Sequence, residues 1–170
     1  MRCWNTLLIA ATKQGAMVVE SVLQKRYTTI IDVHLFLIQK GQILLGQRQN
    51  TGFEDGKFHL PSGHLEKDET VVHALIRESQ EELGISIDPK DVVFALVSHQ
   101  RVSTGRVGLF FVVQEWKGEV QNMEPEKCSK LQWFNIDNLP ENIVPYAQKA
   151  IQHYIAGDVF TLYGWEKELE

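Results

Sequence analysis

The apolar positions of this chain change period several times, and each change marks an element. From Thr28 to Ile38 the run TTIIDVHLFLI is largely β-branched and aromatic, the composition of a buried strand. Gly41 marks a turn, and Gln42 to Arg48 returns as the hairpin partner. The loop QNTGFEDG is dense in turn formers and leads into a short strand, KFHLP, which Pro61-Ser62-Gly63 closes. The period then lengthens. Val72, Leu75, Ile76 and Leu83 fall on one helical stripe facing a core. Asp68 or a residue beside it caps that helix, Glu69 places negative charge in its first turn, and Gly84 stops it. Val92 to Val97 and Val107 to Glu115 read as two further strands, with a turn at Thr104-Gly105. LQWFNI is another strand, Leu139-Pro140 ends a short turn, and Val144 to Ile155 regains the helical period. Mixed strands with two helices on opposite sides predict an α/β fold, an α/β/α sandwich around a mixed sheet.

The polar positions of the first helix carry the chemistry. At 100° per residue, Glu78 and Glu82 lie about 40° apart, with Glu81 about 60° away on the other side. Three carboxylates on one narrow face repel, and a bound divalent cation removes the repulsion. Oxygen-only ligands suit Mg²⁺ or Mn²⁺. Glu69 and Arg77 are eight residues apart, about 80° around the axis and two turns along it, so Arg77 can reach back to Glu69. A solvated acidic face is the bland alternative for the glutamates, and simple charge balance for Arg77.

The spacing as a whole resembles a known pattern. Gly63, five residues, Glu69, seven residues, Arg77-Glu78, two residues, Glu81-Glu82, one residue, Gly84-Ile85 is similar to the signature of the Nudix hydrolases. QILLGQR before it and LQWFNIDNLP after it extend the likeness, so that it covers Tyr27 onward. One position departs: Ser79 stands where the family usually has an aliphatic residue. The resemblance implies the same α/β/α sandwich. It also implies a Mg²⁺ or Mn²⁺ site made of Glu78, Glu81, Glu82 and the Gly63 carbonyl, with Arg77 orienting the adjacent Glu78. Such cations bridge pyrophosphate oxygens and activate a water.

Members of the family often recruit a further acid from outside the helix. Here Glu126 is the first choice, by its distance from Trp133, with Glu124 the reserve and Glu78 a competing general base. Arg48, at the end of its strand, stands where Nudix proteins frequently present an Arg to substrate phosphates. Phe53, Phe58, Phe110 and Trp133 are candidates for base stacking, although strand aromatics are usually core. His59, His64 and His73 form no zinc pattern and read as scattered polar positions.

Composition narrows the partners. A chain of 170 residues suits one domain with a real core, assigned to 27–170, with 1–26 an N-terminal extension of unclear role. A net charge of −5 argues against nonspecific binding of nucleic-acid polymers. It leaves room for a small phosphorylated substrate, because a metal inverts the local sign. Leu7-Leu8-Ile9-Ala10-Ala11 is too short for a membrane span. Cys3 and Cys128 are too few for a disulfide framework, and reduced thiols fit a cytoplasmic setting. A homodimer is the expected form of any self-association.

The resemblance implies a nucleoside diphosphate linked to another group and cleaved between phosphates by water. Some subfamilies carry a Pro or Tyr marker shortly beyond the box, associated with ADP-ribose or dinucleoside polyphosphates. His99-Gln100-Arg101-Val102 has neither. A MutT-like hydrolase releasing nucleoside monophosphate and pyrophosphate from a nucleoside triphosphate therefore leads. An ADP-ribose or nucleotide-sugar pyrophosphatase, and a non-catalytic nucleotide-sensing module, are the alternatives. An incomplete box would favour the sensor, and here every acidic position is filled.

Overall fold

β1 (Ile30–Gln39) is the strand on which the sheet is assembled, and its alternation explains why. Val33, Leu35 and Leu37 point to one face and Phe36 and Ile38 to the other, all buried. A computed structural model describes residues 27–102 and 105–165 of the chain. Along one edge β1 runs parallel to β6 (Arg106–Val113), from Ile30↔Arg106 to Leu37↔Val113. Its other edge is shared. The end near Gln39 pairs with β2 (Gln42–Arg48), and the beginning pairs with β4 (Ser62–His64), through Asp32↔His64, Val33↔Gly63 and His34↔Ser62. β2 then leaves β1 to pair with β3 (Phe58–His59) and β7 (Cys128–Asn135). The sheet therefore forks at β1.

β5 (Val93–Gln100) lies antiparallel to β6, and β8 (Phe160–Tyr163) continues the sheet parallel to β5. Two helices cover the two faces. α1 (Val71–Leu83) packs Ala74, Leu75 and Leu83 against the Val33–Leu35–Leu37 side. α2 (Pro145–Ala156) packs Ala147, Ala150 and Ile151 against the Phe36–Phe110 side. Each fully buried Leu or Ile there contributes about 1.5–3 kcal/mol relative to exposure. The expected α/β/α arrangement around a mixed sheet is what forms.

Several local expectations are corrected. Thr70, not Asp68, caps α1: its hydroxyl accepts from the His73 amide, while Asp68 sits at φ 66 in the preceding turn. Ser62–His64 is a short strand rather than loop, because β1 leaves an edge open to it. β8 was not anticipated. Four residues have too little pattern to announce a strand, and the pairing with β5 is distant in sequence. Gly84 closes α1 as expected, at φ 68 with its amide bonded to the Gln80 carbonyl. The extension 1–26, Cys3 and Thr104 lie outside the described residues. Among the described residues no helix is long and apolar enough to cross a membrane.

Ser79 is only 2% exposed and turned into the core, where its hydroxyl donates to the Leu75 carbonyl at 2.7 Å. A narrow crevice bounded by Leu35, Pro61 and Leu75 lies beside it. The departure from an aliphatic residue at this position is thus accommodated locally. That carbonyl already belongs to the helix ladder, so the hydroxyl bond adds little. Ser79→Ala is expected to stabilise the fold by about 0.5 kcal/mol through helix propensity. A higher urea midpoint at unchanged slope checks this.

Candidate active site

Glu69 lies just ahead of the Thr70 cap rather than in the first turn, and the long side chain of Arg77 reaches back along α1 to it. Arg77 Nη2 and Nε lie 2.9 and 3.2 Å from the two Glu69 oxygens. Nη1 donates to Glu78 at 2.7 Å and to Glu81 at 3.3 Å, and Nη2 also donates to the His64 carbonyl at 3.1 Å. One planar fork thus ties the loop, the helix start and the acidic face together. The hydrogen bond to Glu69 is the largest of the effects that raise the guanidinium pKa. In return Arg77, with the Glu66 amide, holds the Glu69 carboxyl below its ordinary value.

Glu78 and Glu82 face the interior and Glu81 is exposed. Burial raises the Glu78 pKa, opposed by the Arg77 hydrogen bond. Burial pushes Glu82 up to about 8; the Ser62 amide, 3.0 Å from its carboxylate, works against this, and Glu78 and Glu124 add to it. Gly63 is pressed against this pair. A Cβ at Gly63 would stand 1.8 Å from Glu78 Cδ, so a side chain there requires the Glu78 carboxylate to swing aside.

Glu124 reaches the site by a backbone route. The last carbonyls of α1 lack helical partners, and Leu83 and Glu82 accept from the Gln121 and Met123 amides at 3.0 Å each. Glu124 follows directly, lines the same cleft and pairs with Lys127 at 2.7 Å. Glu126, the first choice from sequence, is exposed and does not line the cleft; its carbonyl accepts from Asn50. Arg48 does line it, held by the loop that follows: Nε donates to the Phe53 carbonyl at 2.7 Å and Nη2 to the Thr51 hydroxyl at 3.0 Å.

The cleft measures about 760 Å³ and runs through the fork of the sheet, from the glutamates to the α2 face. It brings together residues that sequence reasoning passed over. Asp32, buried, takes Arg106 at 2.7 and 2.8 Å and His64 at 2.6 Å. His34, Gln100 and Tyr146 also line it, and His59, far from scattered, sits buried against the Tyr146 hydroxyl. Burial pushes His59 down to about 3. His73 lies outside the cleft. Asp32 and His34 at alternate positions of an otherwise apolar strand were the signal available in the sequence. Of the stacking candidates, Phe58 and Phe110 are core, Trp133 stacks on Trp116, and Phe53 is exposed beneath Arg48.

The donor set fits a hard divalent cation: oxygen ligands only, with two partly buried carboxyls whose pKa values burial raises. Among the described residues no three His, Cys, Asp or Glu side chains already stand at metal-binding distances. Glu78 and Glu81 lean on Arg77, and Glu82 on the Ser62 amide. Their shared helical face leaves rotamer changes as the step that would gather them.

A model of the NUDIX domain matches residues 28–154. The chain is 32% identical over 121 residues to an ADP-ribose pyrophosphatase of Methanocaldococcus jannaschii, covering 70% of this chain and 69% of that protein. It is 38% identical over 79 residues to a CTP pyrophosphohydrolase of Escherichia coli, covering 46% of this chain and 56% of that protein. A MutT NUDIX hydrolase structure from Burkholderia pseudomallei superposes with a TM-score of 0.67 at 26% identity, over 74% of this chain and 97% of that one.

The Gly63–Glu78 contact is directly testable. Gly63→Ala is expected to displace the Glu78 carboxylate and cost about 1–3 kcal/mol in urea unfolding, the range for overpacking. An unchanged unfolding midpoint would show that Glu78 yields that space at little cost.

Proposed function

The chain belongs to the Nudix hydrolase family, and from that premise we propose that it hydrolyses the pyrophosphate linkage of a nucleoside triphosphate, releasing nucleoside monophosphate and pyrophosphate. The observation that carries this reading is the convergence of the half-buried Glu78 and Glu82 with Glu124 on one cleft of nucleotide size. Glu78, Glu81, Glu82 and the Gly63 carbonyl are the groups that would hold Mg²⁺ or Mn²⁺. When bound, the cation supplies charge neutralisation at the phosphates and a more acidic water.

The chain's own residues do the rest. Arg77 holds Glu78 in place, so that its removal would free that carboxylate to turn away. Arg48, pre-set by Phe53 and Thr51, offers positive charge to a phosphate at the cleft wall. Glu124, rather than Glu126, is the acid outside the helix with access to the reacting region, and it or Glu78 takes the proton of the attacking water. Positioning and charge compensation of this kind are most of what phosphoryl transfer requires.

ADP-ribose or a nucleotide sugar is the second reading, favoured by the likeness to the archaeal ADP-ribose pyrophosphatase. Mass-spectrometric product analysis with Mg²⁺ separates the two. Pyrophosphate with nucleoside monophosphate supports the first, and a sugar phosphate product the second. Absence of turnover on any of these substrates would overturn both.

Two substitution tests follow from the geometry. Glu82→Gln is expected to lower kcat by at least about 100-fold, and Glu124→Gln by about 10- to 100-fold, the span of a lost base or charge-stabilising group. Glu126→Gln should leave kcat within about twofold, as for an exposed position away from the cleft. A larger loss at Glu126 than at Glu124 would reverse the assignment.

The raised Glu82 pKa gives a pH test. The ordinary value of 4.5 rises to about 8 on folding, so the neutral carboxyl favours the fold below 4.5 and that contribution is lost as pH climbs through 8. A cation that binds the ionised form opposes this loss. The increase in Tm on adding Mg²⁺ should therefore be larger at pH 8 than at pH 5. An increment that is flat or shrinks with pH would place the cation elsewhere.

A further inference from the structure

An unbroken series of hydrogen bonds runs along the wall of the cleft to the glutamates, and its first half has no part in the hydrolytic reading. Arg106 Nη1 lies 2.8 and 2.7 Å from the two oxygens of Asp32. The first of those oxygens also stands 2.6 Å from His64 Nδ1. The His64 carbonyl accepts from Arg77 Nη2 at 3.1 Å, and Arg77 Nη1 donates to Glu78 at 2.7 Å. The series passes from β6 through β1 and β4 to α1, so it ties the sheet to the acidic helix.

Packing does not account for Asp32. It is buried in a largely apolar strand, and a buried ion pair seldom improves on apolar residues of similar volume. Arg106 already meets both oxygens, so the bond to His64 serves something besides the charge. The His64 side chain is 65% exposed, and burial therefore does not hold its ring. Asp32 does. The two residues stand directly opposite in the β1–β4 register, where cross-strand pairs stabilise a sheet. A carboxylate only accepts, so Nδ1 carries the hydrogen and the ring is set in one orientation. β4 has only three residues, and this contact pins its last one. Two groups depend on that end of the strand: the Gly63 carbonyl, one residue back, and the His64 carbonyl that Arg77 grips.

Resting on the cation reading above, we propose that Asp32 is a positioning residue for the metal site, acting through His64 on the Gly63 carbonyl and on Arg77. It touches none of the carboxylates that would hold the cation. Its effect is to keep the loop side of the site still while the glutamates gather from the helix side. Partners of this outer kind set how well oxygen and nitrogen ligands are aimed, and metal affinity responds to their loss. Arg106 supplies the counter-charge that lets a carboxylate stand buried at this point of β1.

The probe is Mn²⁺, titrated into the full chain without nucleotide and followed by electron paramagnetic resonance. His64→Ala cuts the tie to Asp32 and should weaken Mn²⁺ binding by about tenfold, as loss of an outer hydrogen bond at a metal site does. His64→Asn keeps a donor near the place of Nδ1 and should return the affinity to within about threefold of wild type. Asp32→Leu combined with Arg106→Leu removes the carboxylate without stranding a buried charge, and should match the loss in His64→Ala. Each variant should melt in one cooperative transition without metal. Affinity unchanged in His64→Ala or in the double variant, or equal losses for Ala and Asn at His64, overturns the inference. Turnover of a nucleoside triphosphate is scored separately on the same samples. Mn²⁺ binding that depends on the His64 donor, without turnover, supports the positioning role and removes the hydrolase. Turnover with Mn²⁺ affinity indifferent to His64 spares the hydrolase and removes the positioning role.

Discussion

Placing Glu78, Glu81 and Glu82 within two turns of one helix face creates repulsion that the fold has to offset before the cleft can exist. Arg77 offsets part of it by hydrogen bonding two of the three, while its other edge grips Glu69 and the His64 carbonyl. The same guanidinium that tempers the acids therefore fixes the angle at which the chain enters α1. Glu82 lies beyond its reach and is left to burial and a single amide. The arrangement is held on one side and unsatisfied on the other, which is the state a cation site needs if binding is to gain free energy rather than merely replace existing contacts.

That helix stands where it does because β1 divides its edge. Had β2 stayed on β1 for its whole length, no strand could have brought Gly63 alongside Val33, and the glycine would not lie under Glu78. Forking also opens the sheet, so one cleft passes from the acidic face of α1 to the layer covered by α2. Packing and function share a cause here: the edge that β2 gives up is both the seat of the glycine and the mouth of the cavity.

Much of this was legible in the sequence, for local reasons. The helical stripe, its closing glycine and the reach of Arg77 to Glu69 depend on spacings within a few turns, and the structure reproduces them. The hairpin Gln42 to Arg48 is equally local. What escaped depends on contacts between distant segments. β4 and β8 exist only because an edge was free to receive them. Counting from Trp133 could not show that Glu124 rather than Glu126 lines the cleft, since the place of Glu124 is set by two amides docking on the end of α1. His59 and His64 looked scattered because they sit on separate strands that only the sheet gathers around His34, whereas His73 lies on α1 away from the cleft.

The two working faces of the cleft are assigned by parity along β1 and β4. Gly63 looks towards α1 and Glu78, whereas Ser62 and His64 pair with His34 and Asp32 on the other face. Successive residues therefore serve opposite layers, and a slip of one residue in the β1–β4 register would exchange them. The glycine would leave the glutamates, and His34 would be driven into the apolar packing beneath α1. Register is protected by the apolar members of the same alternation, since Val33, Leu35 and Leu37 are buried under α1 and would lose that burial in any slipped pairing. The hydrophobic pattern that folds the sheet is thus also what keeps the glutamates of α1 and the side chains of Asp32 and His34 at the two ends of one cleft.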